Sequence, residues 1–245
     1  MTRTTYDFGN GEVPAHRHTN PDGNLGGWVA DTATVSPTAW LQNRARVFDN
    51  AWVHGNARVF DYARVYGDAR VYGDARVSSN AQVYGNAEVS GHAQVYGNAE
   101  VYDNARVYDN AQVFGNAQVF DNARVEESAK VFSDAWAFED ALVFGRASVK
   151  GDARVFGNAQ VYGNAEVRGH TWVSDNAWVS GDAEVSGSAQ VYGNAGVFDN
   201  AEVYGNARVF GNAWVYGNAG VSGTARISDN VRVFGNAEVC DDDYR

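Results

Sequence analysis

The chain has 245 residues, a formal net charge of −11 and a sequence pI near 4.8, an acidic balance that argues against a general nucleic-acid binder and suits either solubility or a partner with a basic groove. It holds 27 Gly but only 3 Pro, 1 Met and 1 Cys, a skew that points to a repeat written in a small alphabet. With Cys240 alone no internal disulfide can form, which fits a reducing compartment.

Residues 1–27 carry no repeat. Their opening, MTRTTYDFGNGEV, has no apolar run suited to a signal peptide. No stretch of the chain is apolar enough to span a bilayer. A cytoplasmic protein that makes no membrane contact is therefore expected. The segment is read as an N-terminal cap, with Tyr6, Phe8, Val13 and Leu25 covering the first turn of the repeat. It also holds His16, His18 and Asp22. A His-x-His pair is a metal signal of low specificity, so His16 and His18 are weak ligand candidates and a polar cap turn is the expected role. No metal and no cofactor are expected.

From residue 28 to residue 240 the register never slips. Every sixth residue from Val29 to Val239 is valine, except Leu41, Ala137 and Ile227, which are also apolar. Four residues after each comes alanine, replaced only by Thr171 and Val231. One rung reads V-[YFS]-[GD]-[ND]-A-x, as in Val71-Tyr72-Gly73-Asp74-Ala75-Arg76. In the run Ala-x-Val-aromatic, alternation puts Ala and Val on one face and x and the ring on the other. The Gly-Asn or Asp-Asn pair then breaks the strand, since these residues tolerate positive φ and tight turns. A helix is excluded, because a period of six fits no helical stripe. Four strand residues and two turn residues, repeated without drift, must wind into a coil with Val and Ala inside. The period alone leaves two, three or four sides open.

The motif [aliphatic]-x-x-x-[small]-x, which covers residues 29–239, resembles the hexapeptide repeat of left-handed β-helix proteins. That resemblance implies an all-β, left-handed parallel β-helix of triangular section with eighteen residues per coil. The thirty-six rungs then make about 12 coils and a rod roughly 55 Å long. Residues 241–245 remain as an acidic tail of Asp241, Asp242, Asp243, Tyr244 and Arg245 that discourages edge-to-edge growth. Alternatively, the open C-terminal end docks on a second copy or on another protein.

With three sides, one face stacks Phe48, Tyr66, Tyr84, Tyr102, Phe120, Phe138 and Phe156 in successive coils, flanked by Trp136 and Trp172. Such a stripe stabilises the stack and is also the candidate interface for self-association or a protein partner. A platform for carbohydrate or another flat ligand is a further reading of it. The third face turns acidic in its later coils, at Glu166, Glu184, Glu202 and Glu238.

Many hexapeptide β-helix proteins are acyltransferases that use acyl-coenzyme A or acyl carrier protein and a histidine near a subunit cleft. The weak catalytic candidates here are His92 and His170, which occupy the turn position usually held by Asn or Asp. No protruding loop, second base or nucleophile motif accompanies them. Gly26-Gly27-Trp28-Val29 followed by NARVYG-type rungs resembles a narrower group of hexapeptide-repeat proteins from bacteria and their phages, often labelled acyltransferases without demonstrated activity. This implies a phage or prophage origin. The expected function is a non-catalytic structural or interaction rod, with an acyltransferase and an acidic nucleic-acid-mimicking decoy as alternatives.

Overall fold

A computed structural model describes residues 4–42 and 44–241. Among them there is no helix, and so none long and apolar enough to cross a membrane. The chain forms two compact units, Met1–Asp121 and Asn122–Arg245, each an all-β parallel solenoid. Of the acidic tail only Asp241 is described; residues 242–245 lie outside the described residues.

The first unit opens with β1 (Thr5–Asp7), β2 (Glu12–Thr19) and β3 (Leu25–Ala30). β1 pairs antiparallel with β2, and β2 with β3. β3 then starts a parallel stack by pairing with Arg46–Val47. From there each strand is a two-residue x-Val step that pairs with the strand eighteen residues on, as Val47 with Val65 and Val65 with Val83. Three sheets result, led by β3, by Thr34–Val35 and by Trp40–Leu41. The second unit repeats the plan from Arg124–Val125 to Glu238–Cys240.

The paired strands are shorter than the four residues expected, because the chain turns a corner on either side of x-Val. Backbone bonding does not stop there. The amide of Tyr72 donates to the Val89 carbonyl at 2.9 Å, and that of Asp74, inside the turn, to the Gly91 carbonyl at 2.8 Å. Each corner is thus bonded to the next, which satisfies polar backbone that would otherwise end at a strand terminus.

The interior matches the sixfold reading. From Ala39 to Ile227 the valine and alanine repeat positions are fully buried, as are Leu41, Ala137 and Ile227 themselves; at the ends Ala33, Val35 and Ala237 stay partly or wholly exposed. Thr171 is fully buried in an alanine place, and its hydroxyl has no hydrogen-bond partner.

The turn departs from expectation in one respect. Among the described residues, positive φ within the repeat's turns falls only on the first residue, as at Gly73 (φ 71°) and Asp103 (φ 55°), and no described Asn adopts it. Coils approach closely at this point, since a Cβ on Gly85 would lie 2.8 Å from the amide nitrogen of Asp103. At Asp49, Asp61, Asp175 and Asp199 the carboxylate accepts from the amide one coil on, as Asp175 Oδ2 does from the Gly193 amide at 2.9 Å. That bond offsets part of the cost of left-handed backbone.

The cap also differs from the one anticipated. Tyr6 stacks on Trp28 (4.5 Å between centroids) and Phe8 on Phe48 (4.9 Å). Phe8 fills the ring place that small Ala30 leaves vacant in the first coil. Val13 and Leu25 stay exposed, Leu25 to 60%. The inward places are taken by Ala15, His18 and Asn20. His18 Nε2 donates to the Ala39 carbonyl at 3.0 Å. Asn20 mimics a strand: its Nδ2 donates to the Leu41 carbonyl at 3.0 Å and its Oδ1 accepts from the Leu41 amide at 2.8 Å. The first edge of the third sheet is therefore closed by side-chain polar groups, not by apolar cover.

Candidate interaction surface

Outward side chains at equivalent positions stand one coil apart, and parallel pairing brings like over like. In the first unit Phe48, Tyr66, Tyr84, Tyr102 and Phe120 form a column with centroids 4.8–4.9 Å apart and planes within 5°. Tyr66, Tyr84 and Tyr102 donate their hydroxyls to Gln82, Glu100 and Gln118 of the following coil, at 3.1–3.4 Å. Burial in the column, with the nearby Glu100 charge, holds the Tyr84 phenol well above its usual range. Phe48 is buried and its neighbours half-buried, so much of this face is already satisfied by itself.

In the second unit Phe138 stacks on Phe156 at 4.9 Å, and the edge of Trp172 meets Phe156 at 6.4 Å. The Arg154 guanidinium lies over Trp136 at 4.5 Å and near Trp172 at 5.9 Å, tying the two indoles together. Trp172 is 43% exposed. Of the aromatic interface residues proposed from the sequence, it alone offers a largely open ring. Other exposed rings lie elsewhere, at Trp52, Tyr62, Trp178, Tyr204 and Phe234.

The acidic side of the second unit is partly neutralised. Glu166 pairs with Lys150 (2.9 Å) and Arg168 (3.0 Å), and Arg168 also reaches Glu184. In the first unit Glu88 sits between Arg70 and Arg106 at 3.7 and 3.9 Å.

His92 and His170 project from corners, exposed and in different units. Neither has positive φ, so tolerance of that backbone is not why histidine stands there. Each faces the aspartate one coil earlier: His92 Nδ1 is 3.7 Å from Asp74 Oδ2, and His170 Nδ1 is 3.1 Å from Asp152 Oδ2. His16 and His18 part company. His16 pairs with Asp31 at 3.1 Å, whereas His18 turns inward to Ala39. Among the described residues no three His, Cys, Asp or Glu side chains converge as a metal site.

One feature of the turn is not evident from the sequence. Its second residue, usually Asn, donates Nδ2 to the matching side chain one coil on. Asn158, Asn176, Asn194 and Asn212 form such a column at 3.0–3.3 Å. Asn200, Asn218 and Asn236 form another at 3.1 Å. An amide can both donate and accept, so it propagates the column. A carboxylate can only accept, as Asp182 does from Asn164 at 2.8 Å. The signal is present as Asn at intervals of eighteen, but it coincides with ordinary turn preference.

Beside the first of these columns runs a groove of about 400 Å³, lined by Asn176, Asn194, Asn212, Trp178, Trp214 and Arg232 among others. The indoles of Trp178 and Trp214 lie 6.2 Å apart, and Arg232 covers Trp214 at 4.7 Å.

A family model described as YdcK Beta solenoid repeat matches residues 63–79, 99–115, 117–131, 201–217 and 225–241. The chain is thus similar to a known β-solenoid repeat in both units. No curated protein matches it.

Proposed function

We propose that this chain is a non-catalytic β-solenoid that presents registered aromatic and amide columns to a macromolecular partner or to a second copy of itself. The observation that carries this reading is the register of the exposed side chains. Rings and amides repeat at one-coil intervals, a surface suited to a partner that is itself extended or periodic. The hexapeptide motif supports left-handed winding and a triangular section. The net charge of −11 supports a partner that is not nucleic acid, and would also suit a decoy for a basic protein. Light scattering on the purified chain checks self-association through the aromatic face or the C-terminal end. Calorimetric titration with acetyl-coenzyme A should give no binding heat.

An acyltransferase is the second reading, carried by His170. Asp152 at 3.1 Å fixes its Nδ1 and leaves Nε2 outward, the arrangement a general base needs. On that reading acetyl-coenzyme A binds, and His170→Ala or His92→Ala abolishes acyl transfer. Measured turnover that survives neither substitution would replace the non-catalytic proposal.

A further inference from the structure

We infer that the groove beside the Asn176–Asn212 column is a binding site for a neutral linear polysaccharide. The inference rests on the non-catalytic binding role proposed above and gives that role a ligand class. Three features of the second unit carry it.

The first is the amide column. Each carboxamide has two N–H donors and two acceptor lone pairs on its oxygen. Asn176 and Asn194 each spend one donor and one acceptor within the column. Both are exposed, as is Asn212. The remaining donors and acceptors face solvent at every coil, so a complementary guest must also offer neutral groups that donate and accept at each step. Hydroxyls do so. A peptide strand fits less well, because side chains on one of its faces recur about every 6.6–6.8 Å, against a coil step of about 4.8 Å. A chain of hexose rings advances by a step comparable with one coil.

The second is the aromatic strip. Trp178, Gly196 and Trp214 are successive register partners in one sheet. A Cβ at Gly196 would lie 1.7 Å from Trp178 Nε1, so the glycine is what lets the indole lean toward Trp214. The two indoles lie 6.2 Å apart with planes tilted by 49°, and Trp178, 38% exposed, offers the more open ring of the pair while Arg232 lies over Trp214. The C–H face of a pyranose stacks on such rings while its hydroxyls meet the amides.

The third is charge. None of the described residues lining the groove is a carboxylate, although the chain carries −11 overall. The one cation, Arg232, is spread over Trp214. A neutral guest is therefore favoured over a basic protein.

The test titrates the full chain with cellohexaose, chitohexaose and maltohexaose, by calorimetry and tryptophan fluorescence. At least one should bind. Trp178→Ala and Trp214→Ala should each weaken that binding about tenfold or more, while Trp52→Ala in the first unit leaves it unchanged. Gly196→Ala should weaken it too, by displacing Trp178. If the tryptophan variants fail to fold by circular dichroism, Asn194→Asp and Asn212→Asp replace them. These keep the side-chain shape but add charge beside a neutral guest, so weaker binding supports the site and unchanged binding overturns it. The inference also falls if no hexasaccharide binds at millimolar concentration, or if Trp52→Ala weakens binding as much as Trp178→Ala does. Acyl transfer from acetyl-coenzyme A, assayed on the same protein, would instead remove the non-catalytic reading, so the two failures are distinguishable.

Discussion

Thr171 stands where the repeat otherwise has alanine, fully buried, with its hydroxyl unbonded. A buried polar group without a partner costs about 1–3 kcal/mol, whereas an apolar group of the same shape avoids that cost. Thr171→Val keeps the branched outline and removes the hydroxyl. It should raise unfolding stability by about 1–3 kcal/mol, read as a higher urea midpoint at unchanged slope. A lower midpoint would show that the hydroxyl is satisfied. Asn20 is the opposite case, a side chain nearly as buried whose amide is bonded through both ends to Leu41. What separates the two is whether a polar atom meets an unpaired strand edge or a closed interior.

Among the described elements, β2 carries a buried histidine that couples its docking to pH near neutrality. Burial lowers the pKa of His18 below its ordinary value; the Ala39 carbonyl acts the other way, and His16 adds to the lowering. Because the folded pKa is depressed, the undocked segment takes up the proton first, so His18 favours docking fully above about pH 6.5 and progressively less as the pH falls below it. Protection factors at the β2–β3 amides, which discount the intrinsic slowing of exchange in acid, should therefore fall on acidification through that range, while those near Val83 and Val101 hold. His18→Gln should flatten the dependence; an unchanged pH profile in that variant would mean His18 is not the group responsible. Asp7, which accepts from the Gly9 and Gly11 amides, also has a lowered pKa. It responds only at lower pH, within the carboxylate range.

For the molecule as a whole, stability is a sum over coils and their contacts with neighbours. Excising residues 66–83 of the first unit removes one full period of eighteen and joins Val65 to Tyr84. Every downstream side chain keeps its face, and Phe48 is followed by Tyr84 in the ring column. That variant should fold with a near-native circular dichroism spectrum and a melting temperature close to the parent's. Excising residues 66–82 instead shifts alternation by one and turns inward residues out. It should yield an unfolded or aggregated first unit. Comparable melting of the two deletions would show that the sixfold register is not what holds the coils.

The sequence by itself determined the coil: the sixfold Val and Ala positions, the inward and outward faces, and the turn at Gly or Asp; that rings such as Tyr66, Tyr84 and Tyr102 stand in one column follows only from three strands per coil. These arise from local rules, because alternation and turn chemistry act between residues close in the chain. Tertiary structure decided what depends on residues eighteen or more apart. It made second-turn Asn residues into donors along a column, bent Trp178 over Gly196, joined Trp136 to Trp172 through Arg154, and closed a sheet edge with His18 and Asn20. Each is a side-chain conformation chosen among several by neighbours in adjacent coils. A period read along the chain specifies which residues meet, but the rotamers and free hydrogen-bonding groups at each meeting are settled only once the coils are stacked.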